Sequence, residues 1–318
     1  MNKDELHVIF GSGPVGQAVM EELLRRGKKI RLINHSGKGV VPPGVELVRG
    51  EAANPFETVE LCRGAAVVYN CANPPYTMWP EIFPVLQHGV IEGAAAAGAK
   101  LVVMENVYMY GPTGGKPLTE DMPYLAVDRK GRTRAAMALE ILQVHKQGKV
   151  RTLSARASDF FGPRVLVSVM GERIFYPALE NRPAQFLGNI DMLHTYTFIG
   201  DIGKALVLLG EHDEALGQAW HIPSMDTITT RQFLEMIYRL AGNELKIKTI
   251  SKFMATLIGT INPPVRELTE VIHLYEQPLI VDYTKFVKTF GNHSTVLSEA
   301  IRNTLDWYRQ NQHVRKSH

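Results

Sequence analysis

Short apolar runs recur along the first half of the chain, separated by stretches in which apolar residues return every three or four positions. The runs fall at 6–10, 30–33, 45–48, 65–69, 101–104 and 152–155, and the periodic stretches lie near 15–26, 55–62, 80–98 and 131–148. Strand-length runs alternating with helical periodicity predict a parallel sheet covered by helices on both faces. Right-handed crossovers leave few ways to arrange it. The stretches near 80–98 and 131–148 end at Gly98 and Gly148, where glycine supplies the left-handed residue that stops a helix.

After Phe160-Phe161-Gly162-Pro163 the rhythm changes. Short strands are expected at 185–187 and 195–199, then a helix at 201–210 and a strand at 219–222. The last third reads as helices near 229–241, 251–259, 263–275 and 295–310, with a short strand at 279–281. No internal repeat or low-complexity linker interrupts the chain.

Composition narrows the class. Of 318 residues, 45% are hydrophobic and 21% charged, an ordinary globular balance. The net charge of +3 forms no basic stripe, and only Arg315, Lys316 and His318 gather at the tail, so no nucleic-acid role is expected. The apolar runs are too short for a membrane span. The first residues run directly into an apolar strand without a secretory h-region. Cys62 and Cys71 have no metal-like spacing and suit a reducing compartment. A cytoplasmic protein without metal or membrane partner is the expectation.

The first apolar run leads into Gly11-Ser12-Gly13-Pro14-Val15-Gly16 and then an amphipathic helix. In that order the first glycine allows a tight turn, the second lets backbone amides approach a pyrophosphate, and the third brings helix close to strand. A helix N-terminus also offers unpaired N–H groups to an anion. The same glycines would serve an ordinary turn, but their place between first strand and first helix favours a dinucleotide site.

Cofactor choice turns on the tip of the second strand, where an NAD site commonly offers an acid to the ribose 2′-hydroxyl. Here the tip reads Asn34-His35-Ser36-Gly37-Lys38, with no acid. Asn34, His35, Ser36 and Lys38 suit a 2′-phosphate, so NADP(H) is preferred over NAD(H); a plain polar turn is the other reading.

These residues resemble the extended short-chain dehydrogenase/reductase superfamily, the NAD-dependent epimerase/dehydratase-like group. The likeness rests on the Gly11 loop, on Tyr69-Asn70-Cys71-Ala72-Asn73, on Val107-Tyr108-Met109-Tyr110-Gly111-Pro112 and on Phe160-Phe161-Gly162-Pro163. It continues through 195–202 and 278–282. The resemblance implies a Rossmann-type doubly wound α/β sheet of seven parallel strands. It implies a cofactor along their carboxyl ends, with Cys71, Ala72 and Asn73 beside it, and a smaller, mainly helical C-terminal substrate domain. The expected division is 1–165 plus about 199–223 for the dinucleotide-binding domain, and about 166–198 plus 224–318 for the substrate domain. Relatives imply a homodimer through the helices near 80–98 and 131–148. The small-residue run 94–97 suits such packing or burial against the sheet.

The resemblance also implies a catalytic Ser or Thr and a Tyr-x-x-x-Lys pair, and here the chain departs from it. Asn106 stands at the serine position, Lys130 at the tyrosine position and Arg134 at the lysine position. A reductase must still protonate the developing alkoxide. Tyr108 is one candidate, sharing a face with Asn106 if the strand continues. Lys130 is another, because Arg134 one turn on would disfavour its charge. Asn106 suits polarisation of a carbonyl oxygen. Both tyrosines 108 and 110 serve equally as aromatic walls, and Lys130 as a ligand of cofactor phosphate or ribose.

Asp159 reads as a tie or cap near the sixth strand, with His194 and Tyr196 near the substrate face. Phe160, Phe161, Met170, Phe175, Tyr176, Phe186, Met192 and Tyr196 suggest an apolar pocket, whereas a nucleotide sugar would call on arginines such as 164, 173, 182 or 266. The expected function is an NADP(H)-dependent oxidoreductase reducing a carbonyl or similarly polarised double bond of a small, largely apolar substrate. An epimerase or dehydratase that retains its cofactor, and a non-catalytic NADP(H)-binding sensor or scaffold, are the alternatives.

Overall fold

A computed structural model describes residues 5–250, 269–270 and 272–314. The helix expected at 251–259, most of the stretch at 263–275, Arg266 and the basic tail at 315, 316 and 318 lie outside the described residues. The chain divides into two units. One comprises residues up to Met109, Arg129–Ala157 and Ile202–Ile222; the other comprises Tyr110–Asp128, Ser158–Asp201 and the described residues from Pro223 onward.

The first unit is built on seven parallel strands. In chain order they are β1 (Leu6–Phe10), β2 (Lys29–Asn34), β3 (Val45–Arg49), β4 (Ala65–Asn70), β5 (Lys100–Glu105), β6 (Arg151–Arg156) and the strand Ala219–His221. Across the sheet the order is Ala219–His221, β6, β5, β4, β1, β2, β3. The crossovers therefore run to one side from β1 to β3 and to the other from β4 on. Between β1 and β4 the strand order reverses, and in open α/β sheets such a switch point opens a crevice at the carboxyl ends.

Helices α1 (Pro14–Arg25), α2 (Pro55–Leu61), α3 (Trp79–Ala96) and α4 (Arg129–Lys146) fill the connections. Each of the first three has Pro at its first or second position, where the missing N–H costs no helical bond. Asn54 caps α2 by accepting from the Phe56 N–H at 3.2 Å. Gly98, at φ +64°, lets α3 stop, and the Ala99 N–H then bonds back to the Ala94 carbonyl. Val8, Phe10, Val68, Leu101 and Val103 from the sheet pack with Leu61, Val90, Ile91 and Ala94 from the helices. Each large aliphatic residue so buried contributes about 1.5–3 kcal/mol. Within the small-residue run, Ala94 is fully buried in this core while Ala96 is exposed.

Among the described residues the second unit contains three two-stranded ladders. Asp159–Phe161 runs parallel to Tyr196–Phe198, Ala184–Leu187 parallel to Ile247–Ile250, and Leu193–His194 antiparallel to Ile228–Thr229. The expected strand at 195–199 is realised as Tyr196–Phe198, since Ile199 opens a helix and the strand is separated from Leu193–His194 by Thr195. That residue's hydroxyl accepts from the Val281 N–H at 3.0 Å and bonds the Thr227 hydroxyl at 2.7 Å. The expected strand at 279–281 makes only single bridges, Leu279 to His194 and Val281 to Leu118. Helix Thr230–Leu240 begins in a full capping box between Thr229 and Gln232.

Aromatic contacts among Phe161, Phe175, Tyr176, Tyr196, Phe233 and Tyr308 centre this unit's core. Six of the eight residues read from sequence as pocket walls are buried here, at 3% exposure or less. Their apolar character contributes to this unit's core. No helix among the described residues is long and apolar enough to cross a membrane.

Candidate functional site

The glycine loop leaves β1 at the switch point. Gly11 has φ +99°, and a Cβ there would come within 2.7 Å of the Cys71 carbonyl oxygen and 2.8 Å of the Ala72 nitrogen. A Cβ on Gly16 would lie 1.8 Å from the Gly11 carbonyl oxygen. Above Gly13 the opposite holds: a Cβ would meet nothing within 4 Å. The loop is crowded beneath and open above, so backbone amides are approachable there. Pro14 lacks an N–H, which leaves Val15 and Gly16 as first-turn donors without an intrahelical acceptor. Ser12 sits beside them, its carbonyl accepting from the Gln17 amide at 3.4 Å.

The segment after β4 completes this floor. The Cys71 N–H donates to the Phe10 carbonyl at 2.9 Å and the Ala72 N–H to Asn70 Oδ1 at 3.3 Å. Burial pushes the Cys71 thiol up to about 12, so it packs and does not attack. Asn73 is exposed at the rim.

At the tip of β2, Asn34 does more than its position in the sequence suggests. Its amide nitrogen donates to Ser12 Oγ and to the Lys38 carbonyl, both at 3.1 Å. Its Oδ1 accepts from the Gly37 N–H at 2.7 Å and the Ser36 hydroxyl at 3.1 Å. Both amide protons and both lone pairs are thus occupied. Asn34 builds the turn and ties it to the glycine loop, while His35, Ser36 and Lys38 are exposed around it. The sequence reading missed Arg49. It ends β3 in register with Asn34, and its Cβ lies 2.7 Å from where a Cβ on Gly37 would stand. The available signal was a cation at the end of the next strand.

The candidate catalytic residues gather at the carboxyl end of β5. The strand stops at Glu105, and Tyr108–Tyr110 forms a short 3-10 turn, so Asn106 and Tyr108 are not related by strand alternation. Instead Asn106 Oδ1 accepts the Tyr108 N–H at 3.2 Å. That bond commits the carbonyl oxygen of the amide and leaves its NH2 as the group able to donate. Tyr108 is half-buried, beside Tyr76 with hydroxyls 3.3 Å apart and Trp79 with ring centroids 6.0 Å apart. Tyr76 and Trp79 come from the turn before α3 and from its first residue, and no local sequence pattern marked them.

Lys130 and Arg134 are buried side chains of α4, not solvated charges. The Lys130 ammonium lies 4.7 Å from the centroid of the Tyr76 ring, and the Arg134 guanidinium lies 4.7 Å from that of Phe83. Arg134 also donates to the Met104 carbonyl at 3.3 Å, and its Nε has no partner. Burial, partly offset by Glu105, holds its pKa below the usual guanidinium value. Below them Arg156 donates to Glu105 at 2.9 Å, both wholly buried.

In the second unit Asp159 accepts at one oxygen from the Tyr275 hydroxyl at 2.9 Å and meets His194 Nε2 at 3.0 Å. The imidazole is stacked between Tyr196 and Tyr275. Asp159 therefore ties its own unit together. Among the described residues no group of three or more His, Cys, Asp or Glu side chains could hold a metal ion.

Comparisons with known proteins agree with this architecture. The chain is 26% identical to mouse (Mus musculus) sterol-4-alpha-carboxylate 3-dehydrogenase, decarboxylating, over 97% of this chain and 91% of that one. It is 22% identical to UDP-glucose 4-epimerase of Corynebacterium glutamicum, over 91% and 98%. Among solved structures, UDP-glucuronic acid 4-epimerase from Bacillus cereus in complex with NAD superposes with a TM-score of 0.77 at 16% identity, covering 96% of this chain and 99% of that one. That likeness speaks for the fold. Residues 8–222, which run from the first strand past the last strand of the sheet, match the profile of one family. The chain belongs to the NAD dependent epimerase/dehydratase family.

Proposed function

We propose that the chain is an NADP(H)-dependent oxidoreductase that reduces a carbonyl, or a similarly polarised double bond, of a largely apolar substrate. The observation that carries this reading is Asn106, whose carbonyl oxygen is tied to the Tyr108 N–H, so that its NH2 would be the donor for the acceptor oxygen. An amide donor aimed where negative charge develops, next to an acidic hydroxyl, is what carbonyl reduction asks of a protein. The cofactor, when bound, supplies the hydride.

The residues fit a dinucleotide. Gly11, Ser12, Gly13, Pro14, Val15 and Gly16 would hold the pyrophosphate, with the Cys71–Asn73 segment alongside. At the tip of β2, Lys38, His35 and the newly recognised Arg49 would neutralise a 2′-phosphate, with Ser36 and Ser12 as hydroxyl partners and Asn34 as the brace behind them. Asn106 would polarise the acceptor oxygen and Tyr108 would give it a proton. Lys130 and Arg134, being buried, would support the site from below.

The relative named as a sterol carboxylate 3-dehydrogenase supports redox chemistry on an apolar skeleton, and the half-buried Tyr76 and Tyr108 would offer such a substrate aromatic surface. A homodimer through α3 and α4 belongs to the same reading, since Val85 and Leu139 leave apolar surface exposed on those helices.

The test is stoichiometric oxidation of NADPH across a panel of aldehydes and ketones. Steady consumption with matching alcohol supports the proposal. Isomerised product without net cofactor turnover replaces it with an epimerase. Tight NADPH binding with no turnover of any carbonyl replaces it with a sensor.

A further inference from the structure

We propose that Tyr76 and Tyr108 form a two-phenol proton relay standing on the Lys130 ammonium. Tyr76 is a positioning residue that resupplies the proton Tyr108 delivers. The inference rests on the reading above that Asn106 and Tyr108 face the acceptor oxygen.

Four observations carry it. The Tyr76 hydroxyl is placed to donate to the Tyr108 hydroxyl at 3.3 Å, so the Tyr108 proton is directed away from Tyr76. Both phenols are half-buried while Lys130 is wholly buried, so the cation is the less solvated group. The ammonium lies against the Tyr76 ring, 4.7 Å from its centroid, and a cation at that range favours the phenolate over the phenol. Trp79 packs edge-on against Tyr76 at 4.8 Å and fixes the ring from the other element.

Among the charges on the elements packed around the pair, Arg134 favours the same direction. On α4, Lys130 is followed one turn later by Arg134, which stands over Phe83. On α3, Glu81 is exposed. On β5, Glu105 is held by Arg156 of β6. A phenol and a lysine are thereby brought together from two segments, although the helix itself carries no tyrosine at position 130.

The step balances. The bound cofactor would supply the hydride for the new C–H bond, and the carbonyl π pair would go to oxygen. The Tyr108 O–H breaks and its proton goes to that oxygen. Tyr108 then takes the proton of Tyr76, and the Tyr76 phenolate beside Lys130 is reprotonated from solvent.

Tyrosinate ultraviolet titration of the NADPH-loaded and unloaded protein, with no substrate, tests the pair apart from turnover. One tyrosine is expected to ionise clearly below the usual value of about 10. That phase should vanish in Tyr76→Phe, which keeps the ring, and should move up toward the usual value in Lys130→Met. A low-pH phase that survives Tyr76→Phe, or none in the unaltered protein, overturns the relay. With a substrate in hand, Tyr76→Phe should lower kcat about tenfold or more at unchanged KM and unchanged NADPH affinity. The solvent-isotope dependence should also fall from two protons in flight to one. Failure of every carbonyl substrate would overturn the proposed function while leaving the titration result standing.

Discussion

Arg156 Nε donates to Glu105 at 2.9 Å between neighbouring strands, and neither side chain reaches solvent. Burying two charges is costly, and their pairing offsets part of that cost. The balance is lopsided, since Arg134 also feels Glu105 as its nearest favourable charge and Arg156 as an opposing one. Glu105→Gln should therefore destabilise by about 3–5 kcal/mol, and more than Arg156→Met. Urea unfolding of the two variants gives the order. A Glu105→Leu/Arg156→Met double variant should recover part of the loss. Equal or smaller loss for Glu105→Gln would mean that Arg134 is balanced elsewhere.

His7 sets an acid limit on stability. It is 1% exposed in β1, stacked on Tyr69 with Nδ1 3.2 Å from the phenol oxygen, and its Nε2 has no partner. Burial, aided by Lys28, lowers its pKa from 6.5 to about 4. The unfolded chain thus binds this proton more readily than the native one. Stability should be complete above about pH 6.5 and fall between there and about 4, by about 3 kcal/mol in all. His7→Asn should flatten that slope in urea midpoints measured across the range. An unchanged slope would place the acid sensitivity in another group.

Much of the fold was legible because two periods, 2 and 3.6, announce themselves locally. The six early strands lie within a residue or two of their expected bounds. Elements missed were short or polar. Asp159–Phe161 is three residues, Ile247–Ile250 has the polar pair Lys-Thr between two isoleucines, and helix Thr284–Phe290 is two turns long. The glycine loop was legible for the same reason as the strands, its chemistry being contiguous. Arg49 was not, because strand register brings it to Asn34 across 15 positions. Tyr76 was hidden behind Pro74 and Pro75 in a segment whose destination depends on where α4 lies. Asn34 itself changed role because hydrogen-bond saturation depends on the turn's geometry and not on residue type.

Cofactor selection should now be read from the cations, and not from Asn34. Lys38→Ala and Arg49→Ala should each weaken NADPH binding about tenfold while leaving NADH within about twofold, since charge-assisted contacts to a phosphate are lost and nothing else. Asn34→Asp should shift preference toward NADH through repulsion. It also turns two donors, to Ser12 and Lys38, into acceptors, so both affinities should fall. Fluorescence titration with both cofactors separates these outcomes. Equal affinity of the unaltered protein for NADPH and NADH would remove the 2′-phosphate assignment.

Asn106 makes the most direct demand on the proposed chemistry. Its Oδ1 is committed to the Tyr108 N–H, so the side chain both aims its own NH2 and pins the turn that carries the phenol. Asn106→Asp keeps the acceptor for that backbone bond but replaces the donor with a carboxylate, which would repel a developing oxyanion. Asn106→Ala removes both functions. If polarisation is the role, Asn106→Asp should lower kcat by about 10²-fold or more, with NADPH affinity unchanged and urea stability close to that of the unaltered protein. Asn106→Ala should lose a similar factor in kcat together with about 1 kcal/mol of stability from the freed N–H. Single-turnover rates with NADPH and the best aldehyde of the panel are the measurement. A fully active Asn106→Asp variant would reduce Asn106 to a turn brace and move carbonyl polarisation to another donor.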